Sequence, residues 1–286
     1  MFNLPNLQGT LPPRSVEDVV VFSCDYDYFD RHGFALAQSI NRTLSWMHVH
    51  CHIINEGNMN TEVLGNMSDK FNFSYSFEDV NEDFYKSLGK NKKRMKEGAH
   101  IFKTTDLDLI ARKTYLASAR FMRLNQLFPN EHQYILQLDC DTILKTGFHK
   151  NDFRALTEHV SAMPKPKDPS TFIASALCLG IGQNGVMFRE LLSQRMREAF
   201  QKEIYWYVDQ DVLKAVMAEW KVEYKKLYKE IPYKWVPWGL KKDDIFMTGK
   251  GSKKEDRRFK SAQLNWLPEH WQTPIFREIR NLPIKK

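Results

Sequence analysis

The chain has 286 residues, of which 42% are hydrophobic and 13% aromatic, enough to build a large buried core. This length is long for one domain and short for two, so we expect one α/β domain over residues 15–260 and a C-terminal extension, residues 261–286, packed on it. No apolar stretch approaches the roughly 20 residues that cross a bilayer, and residues 1–14 lack the apolar core of a signal peptide. We therefore expect a cytoplasmic protein.

The formal net charge is +7, and part of this excess is concentrated in one stretch. Residues 241–260 contain eight Lys or Arg against four Asp or Glu, together with two glycines and few apolar side chains. This composition predicts a mobile basic loop that suits the phosphates of a nucleotide or of a nucleic-acid backbone. The alternative is a solvated charged surface that binds no ligand.

The cysteines are widely spaced and form no Cys-x-x-Cys pair, which argues against a disulfide framework. Most of them lie within apolar runs, so we expect reduced, buried thiols. They are Cys24, Cys51, Cys140 and Cys178.

In chain order, predicted strands alternate with predicted helices, which is typical of a mostly parallel sheet covered by helices. The first half predicts strands at 19–23, 47–54 and 71–77 and helices at 33–44, 61–68 and 107–127, the last leading into a strand at 134–138. The second half is less regular. It predicts a strand at 171–181, helices at 186–200 and 205–220, and short strands at 222–227 and 233–238.

Two acidic residues, Asp139 and Asp141, directly follow the apolar strand 134–138. Packing in a core does not explain two carboxylates at this spacing, so a positive group is expected beside them. Carboxylate oxygens are the ligands that Mg²⁺ and Mn²⁺ prefer, and phosphate oxygens could complete the coordination shell. The alternative is an ordinary turn in which Asp141 caps a helix.

Ligands of open α/β sheets bind at the carboxyl ends of the strands, so other polar groups at these positions are also candidates. After the first strand come Asp25 and Tyr28, which could contact the ribose and base of a nucleotide, although tyrosines beside a strand are often ordinary packing. Asn184 follows the strand at 171–181, and Asp209 and Gln210 lie on the helix at 205–220. The periodicity of that helix leaves open whether Asp209 or Asp211 points inward.

Taken in order, these clusters resemble glycosyltransferase family 8 of the GT-A fold, the group that includes glycogenin and lipopolysaccharide galactosyltransferases. The family opens with a strand, Asp-x-x-Tyr and a helix containing Ser, matched here by Asp25, Tyr28 and Ser39. The match runs from about residue 19 to 254. Its other members are Arg120 and Arg123 on a helix, the Asp139/Asp141 pair, Asn184 before Gly-Val, and Asp209-Gln210.

The chain departs from the family near its C-terminus. Family members usually carry His-x-x-Gly-x-x-Lys there, with the His on the metal and the Lys on the diphosphate. Here Thr248 stands in place of the His, whereas Gly251 and Lys254 are retained. Because a hydroxyl is a weaker ligand than imidazole, three outcomes stay open: water replaces the ligand, metal affinity falls, or the loop aligns differently.

The resemblance implies a metal-dependent transfer of sugar from a nucleoside-diphosphate sugar, in the first place a UDP-sugar, to an acceptor hydroxyl with retention of configuration. It implies Mn²⁺ or Mg²⁺ bound by Asp141 and Asp139, and catalytic roles for Asp209, Gln210 and Arg123. The implied donor-binding residues are Asp25, Tyr28, Arg120, Asp139, Asn184, Gly249, Lys250, Gly251 and Lys254. The acceptor would be a glycan, a lipid-linked saccharide or a protein side chain.

Two other functions remain open on the sequence. A metal-dependent nucleic-acid enzyme would use the basic stretch for phosphates, but it needs a third carboxylate in the site and a broad basic face, so no nucleic-acid partner is expected. A catalytically silent relative would bind sugar nucleotide or glycan without turnover, which the missing His allows. The basic, aromatic C-terminus also permits peripheral contact with a membrane surface.

Two further groups are expected to be structural. His48, His50 and His52 alternate along one strand, but no carboxylate or cysteine follows at ligand spacing, so packing is expected in place of a metal site. Four tryptophans near the C-terminus could stack on acceptor sugars, although we expect at least two of them in the core. They are Trp235, Trp238, Trp266 and Trp271.

Overall fold

The computed structural model describes residues 3–88, 106–129, 132–166, 168–223, 228–237 and 244–267. The strands in this part are β1 (Gln8–Gly9), β2 (Asp18–Asp25), β3 (His48–Asn55), β4 (Phe73–Asp79), β5 (Tyr134–Leu138), β6 (Thr142–Leu144), β7 (Val160–Lys165), β8 (Asp168–Leu179), β9 (Tyr228–Glu230) and β10 (Phe246–Thr248). The helices are α1 (Tyr26–Tyr28), α2 (Phe34–Thr43), α3 (Thr61–Lys70), α4 (Glu82–Ser87), α5 (Leu107–Leu127), α6 (Lys150–Thr157), α7 (Gln183–Lys202), α8 (Val208–Glu223) and α9 (Arg257–Leu264). A π-helical turn, Phe29–Gly33, precedes α2, and a 3₁₀ helix, Gly251–Glu255, precedes α9.

The main sheet has the strand order β1-β4-β3-β2-β5-β8-β7-β9. Strands β4, β3, β2 and β5 are parallel, and β8 pairs antiparallel with β5. The carboxyl ends of the four parallel strands therefore meet at one edge of the sheet, where ligands bind in open α/β folds. A second, two-stranded sheet pairs β10 with β6 and joins the C-terminal region to this edge.

The sheet separates two buried layers of side chains. On one face, Val20 and Phe22 of β2 pack with residues of α2, and on the other, Val19 and Val21 pack with residues of α5, α7 and α8. Continuous apolar runs in β2 and β5 fit this arrangement, because parallel strands covered on both faces have no solvent side. The predicted fold class, a mostly parallel sheet flanked by helices, is thereby confirmed. Within the described residues, no helix combines the length and hydropathy required to cross a membrane.

Most predicted elements are present, and α5 and β5 have the predicted bounds. The strand predicted at 233–238 is wrong for its described part: residues 233–236 form turns and bends, residue 237 is not in a strand, and the Pro232 carbonyl accepts a hydrogen bond from Trp235 N at 2.9 Å. The strand predicted at 222–227 is also wrong where described, because residues 222 and 223 end α8. Residues 224–227 and Trp238 lie outside the described residues.

The basic stretch is more regular than the sequence predicts. Instead of an irregular loop, residues 246–264 form β10, the 3₁₀ helix and α9. Buried Phe246 and Phe259 explain the difference, because they fix this region against the core. Helix α9 crosses residue 260, where we expected the domain to end, and residues 268–286 are outside the described part. The division at 260/261 stays a prediction.

Candidate functional site

The two acidic residues Asp139 and Asp141 lie in the short turn between β5 and β6, at the carboxyl edge of the sheet. Cys140 between them points into the core, where its Sγ lies 3.8 Å from the Tyr28 carbonyl oxygen. Asp139 and Asp141 both face basic side chains of the C-terminal region. The expectation that a positive group lies beside this pair is confirmed.

Asp141 is bound by two side chains that are distant in sequence. The Lys254 ammonium lies 3.1 Å from Asp141 Oδ2, and the Tyr28 hydroxyl donates to the same oxygen at 3.0 Å. Lys254 also donates to the Tyr28 hydroxyl, and its Nζ lies 4.5 Å from the centroid of the Tyr28 ring. Burial and the Asp141 charge raise the pKa of Tyr28, so the hydroxyl keeps its proton. Tyr28 thus joins the acidic pair directly, and one face of its ring is covered by an ammonium group.

Arg120, on α5, connects the acidic pair to α8. Its guanidinium binds Asp139 Oδ1 and lies 3.4 Å from Asp209 Oδ2. Burial disfavours ionisation of Asp139, but Arg120 and Lys250 outweigh it and hold the pKa of this carboxyl below its usual value. Burial raises the pKa of Asp209, and the same two cations oppose the shift without cancelling it. Asp209 therefore takes up a proton more readily than Asp139 does.

The first turn of α8 decides which acidic residue faces the site. Asp209 points inward to Arg120, whereas Asp211 accepts a hydrogen bond from the Tyr205 hydroxyl at 2.8 Å. Tyr207, just before the helix, has a φ of 80°, in the left-handed region that non-glycine residues seldom adopt. Its carbonyl oxygen accepts from the backbone N–H of Gln210 at 3.0 Å, which fixes Gln210 beside Asp209. Unusual backbone of this kind occurs often at functional sites.

Asp25 lies at the same edge and has a polar environment that we did not predict. Its Oδ1 accepts from Tyr28 N at 2.7 Å, and its Oδ2 lies 3.6 Å from Arg112. Arg112 also binds Glu56, whose Oε1 accepts from the Tyr85 hydroxyl at 2.7 Å. Burial raises the pKa of Asp25. Glu56 directly follows β3, so the rule about strand ends could have identified it.

The glycine-containing segment after β10 lies against the acidic pair, as predicted. Gly249 N donates to the Asp141 carbonyl oxygen at 2.7 Å, and a Cβ at Gly249 would lie 2.6 Å from the Phe259 ring. Gly251 has a φ of 62°, which favours glycine. The adjacent Lys250 acts electrostatically on Asp139 and Asp209. This backbone path brings Lys250 and Lys254 to the same cluster.

Thr248 occupies the place beside the acidic pair where the family pattern expects a His. It is the register partner of Thr142 in the β10–β6 pair, and Thr142 directly follows Asp141. Both threonines are fully buried, and neither hydroxyl has a hydrogen-bond partner among the described residues. The predicted alignment of this segment is therefore consistent with the structure, whereas a buried hydroxyl is a poor substitute for an imidazole ligand.

Two predicted site residues are not brought to this cluster. Arg123 is buried three residues further along α5, where it binds Glu78, the Pro5 carbonyl oxygen and Gln126. The prediction of a catalytic Arg123 is therefore wrong in its placement, because Glu78 on β4 holds this guanidinium in the core. Asn184 is exposed at the start of α7 and makes no hydrogen bond to the acidic pair within the described residues.

The surroundings of Asp139 and Asp141 determine whether the pair can hold a divalent ion. Within the described residues, no group of three or more His, Cys, Asp or Glu side chains is arranged as a metal site. Asp139 Oδ1 binds Arg120, and Asp141 Oδ2 binds Lys254 and Tyr28, so a divalent ion would use the second oxygen of each carboxylate or take the place of Lys254 at Asp141 Oδ2. Mg²⁺ is commonly held by one or two carboxylates together with waters and substrate phosphates. The pair therefore fits a divalent ion whose shell is completed by phosphate oxygens.

The remaining expectations concern structural residues. His48, His50 and His52 are buried and hydrogen-bonded to Ser74 and Ser76 at 2.8 to 3.0 Å, consistent with packing. The four cysteines are free and buried, as predicted. Trp235 is buried, and Trp266 packs against the core, as expected for two of the tryptophans. Trp271 lies outside the described residues.

The structure is similar to solved glycosyltransferases over most of its length. The bifunctional glycosyltransferase WbbM matches with a TM-score of 0.60 and 16% identity, over 95% of this chain and 53% of that chain. GlyE from Streptococcus pneumoniae TIGR4 matches with a TM-score of 0.53 and 14% identity, over 92% of this chain and 62% of that one. The galactosyltransferase LgtC, solved with donor and acceptor sugar analogs, matches with a TM-score of 0.50 and 13% identity, over 89% and 99%.

These similarities show the fold, which is the GT-A fold of the matched glycosyltransferases. This chain spans only part of the WbbM and GlyE chains, 53% and 62% of their lengths. No protein-family model matches the chain, and no curated protein matches it.

Proposed function

We propose that this chain, which shares the fold of sugar-transferring enzymes, transfers a sugar from a nucleoside-diphosphate sugar to an acceptor hydroxyl. The proposed donor is a UDP-sugar, the proposed outcome is retention of anomeric configuration, and the proposed class is a family-8-like hexosyltransferase. The acceptor would be a glycan, a lipid-linked saccharide or a protein side chain. One observation carries the proposal: Asp139, Asp141, Asp209, Arg120 and Lys254 converge at the carboxyl edge of the parallel strands.

In the proposed reaction, the bond between the anomeric carbon and the β-phosphate oxygen breaks, and the acceptor oxygen bonds to that carbon on the same face. The acceptor proton passes to the departing phosphate oxygen, so no protein nucleophile is required. Negative charge then builds up on the β-phosphate, where Lys250 and Lys254 would stabilise it as fixed positive charges. Mn²⁺ or Mg²⁺, held by Asp139, Asp141 and the diphosphate, would act as a Lewis acid on the same leaving group.

The other residues have roles that follow from their positions. Asp209 and Gln210 would line the reacting face, with Arg120 holding the Asp209 carboxylate in place. Asp25, supported by Arg112, would bind the ribose or base edge of the donor. The cavity for the donor sugar would lie between these two groups, inside the domain formed by residues 15–260.

Two alternatives make different demands on the site. A two-metal nuclease needs a third carboxylate that can bind metal. The candidate, Asp209, is bound by Arg120, and this contact disfavours a nuclease. A silent relative that binds sugar nucleotide without turnover is favoured by one observation, the buried Thr248 hydroxyl in place of an imidazole. Binding and turnover therefore have to be measured separately.

Thermal unfolding with UDP and MnCl₂ tests the donor site. UDP with Mn²⁺ should raise the melting temperature of the wild type, and Asp141→Asn should abolish the shift. Asp152→Asn is the matched control, because Asp152 is an exposed carboxylate on α6. Stabilisation by DNA but not by UDP would contradict the proposal and favour the nucleic-acid enzyme. Binding of UDP without hydrolysis of any UDP-sugar would favour the silent relative.

A further inference from the structure

The Asp141 carboxylate has a positive partner supplied by the chain itself. Lys254 Nζ lies 3.1 Å from Asp141 Oδ2, and the side chains of the two residues are 28% and 11% exposed. The ammonium also contacts the hydroxyl and the ring of Tyr28. Three contacts therefore hold Lys254 at Asp141 Oδ2, an oxygen that a divalent ion could take only in its place.

We infer that Lys254 is an exchangeable counter-ion, which holds Asp141 until a nucleoside diphosphate draws it away, so that a divalent ion binds only together with the donor. This inference rests on the proposed function and assigns the order of binding at the same site. An ammonium group and a divalent ion repel each other and cannot both bind Asp141 Oδ2. Without a diphosphate, Lys254 therefore competes with the metal.

A diphosphate can reverse this competition. Lysine carries three donors on a flexible stem, and phosphate oxygens form strong, charge-assisted hydrogen bonds with it. Rotation about the side-chain bonds moves the ammonium without rearranging the backbone, and Gly251, where a Cβ would meet no atom within 4 Å, leaves open space for phosphate beside the segment. Lys254 would then neutralise the diphosphate, and Asp141 Oδ2 would become available to the metal.

Two neighbours favour the exchange. Tyr28, whose hydroxyl binds Asp141 Oδ2 at 3.0 Å, would keep the carboxylate oriented after Lys254 has moved. Thr248 is buried and offers no imidazole, so the two carboxylates alone make a weak site for a metal. Both features make phosphate oxygens necessary for tight binding of the ion.

The test measures Mn²⁺ binding by electron paramagnetic resonance of the free ion, first without nucleotide. Lys254→Met should bind Mn²⁺ about tenfold or more tightly than the wild type, because its competitor is gone. Lys253→Met is the matched control, a neighbouring lysine in the same 3₁₀ helix, and should behave like the wild type. The double variant Asp141→Asn/Lys254→Met should lose the gain. UDP should increase Mn²⁺ affinity in the wild type, and Mn²⁺ should increase UDP affinity by the same factor.

The opposing results are separable. Equal Mn²⁺ affinity of the wild type and Lys254→Met without nucleotide, for variants that melt cooperatively, would overturn the counter-ion role. If the double variant keeps the higher Mn²⁺ affinity, the counter-ion role is overturned too, because the additional binding would not involve the Asp141 carboxylate. If UDP binds the wild type but Mn²⁺ affinity is the same in the wild type and in Lys254→Met, the proposed function stands and this inference falls. If UDP binds under no condition, the proposed function itself falls.

Discussion

Two arginines on α5, three residues apart, have very different surroundings. Both Arg120 and Arg123 are buried and both bind carboxylates. The side chains of Arg123 and Glu78 are 1% and 0% exposed, whereas those of Arg120, Asp139 and Asp209 are 8%, 17% and 10% exposed. The first pair is closed to solvent, and the second cluster lies at the open edge of the sheet.

The Arg123 pair is almost completely hydrogen-bonded. Arg123 also donates to the Pro5 carbonyl oxygen at 2.6 Å and to Gln126 Oε1 at 2.5 Å, and Glu78 Oε1 accepts from the Tyr115 hydroxyl at 2.6 Å. The network continues through His52, 3.6 Å from Glu78, to the buried His/Ser ladder of β3 and β4. All three guanidinium nitrogens of Arg123 are thus hydrogen-bonded within the protein, which indicates a structural role.

The Arg120 cluster is incomplete by comparison. Arg120 Nε is buried and has no hydrogen-bond partner among the described residues. Asp139 and Asp209, which share this guanidinium, have pKa values shifted in opposite directions, the first lowered and the second raised. Unmet hydrogen-bonding capacity and divergent pKa values are typical of sites that bind a further partner. The completeness of the pairing, more than the residue types, separates the two regions.

The largest expected effect tests the closed pair. Arg123→Met leaves the Glu78 carboxylate buried without its cation and should lower the free energy of unfolding by about 3–5 kcal/mol. Urea denaturation followed by circular dichroism measures this loss. The double variant Glu78→Gln/Arg123→Met should recover part of it. A loss below about 1 kcal/mol would contradict a structural role for this pair.

The second prediction concerns the open cluster. Arg120→Met should lower kcat/KM for the donor by about 10²- to 10³-fold, because Asp139 and Asp209 lose the fixed cation that positions their carboxylates. Steady-state release of UDP measures it. The loss of unfolding free energy should be smaller than for Arg123→Met, since Asp139 and Asp209 reach solvent. If Arg120→Met lowered the free energy of unfolding more than Arg123→Met, the assignment of Arg123 to the structural pair and Arg120 to the functional cluster would be contradicted.

The third prediction concerns the buried His/Ser ladder of β3 and β4, which we expect to be structural like the Arg123–Glu78 pair. Ser76 contacts ring nitrogens of His50 and His52, both at 3.0 Å, in a buried environment. Ser76→Ala should destabilise the fold by about 1–3 kcal/mol, the usual cost of unsatisfied buried polar groups. Affinity for UDP, measured by isothermal titration, should be unchanged. Weaker UDP binding with unchanged stability would place the ladder in the functional site.

The smallest effect is a pH dependence of stability. The pKa of Glu78 lies below the usual 4.5. Burial alone would raise it, but interactions with His52, Arg123 and Tyr115 outweigh this effect. A carboxyl with a lowered pKa in the folded state contributes stability above its unfolded value and loses it as the pH falls through the folded value. Stability should therefore decrease below about pH 4.5, and Glu78→Gln should make the decrease shallower. An identical slope in this variant would show that Glu78 does not contribute to it.

Local patterns predicted the parallel core and the position of the acidic pair. The apolar run of β5 and the long periodic α5 are strong signals, and Asp139 and Asp141 follow a strand in a way that packing does not explain. The roles of Arg120 and Arg123 could not be separated, because both lie on the buried side of α5. Their partners are distant in sequence. Glu78 on β4 binds Arg123 in the core, and Asp209 on α8 binds Arg120 at the edge of the sheet.

Other features required the folded chain. The contact between Lys254 and Asp141 joins residues more than 100 positions apart, and no local pattern contains it. The basic stretch was predicted as a loop because charge dominates its composition, yet two buried phenylalanines order it. The segment at 233–237 resembles a strand in composition, but the hydrogen bond from Trp235 N to the Pro232 carbonyl oxygen closes a turn there.

Turnover of nucleotide sugars with Mn²⁺ tests the central claim most directly. A panel of UDP-sugars would be incubated with the protein, with UDP release as the readout and the anomeric proton of the released or transferred sugar followed by NMR. We expect release from at least one UDP-sugar by the wild type, a product of retained configuration, and loss of release in Asp141→Asn. UDP release that is unchanged in Asp141→Asn would contradict the assignment of the site.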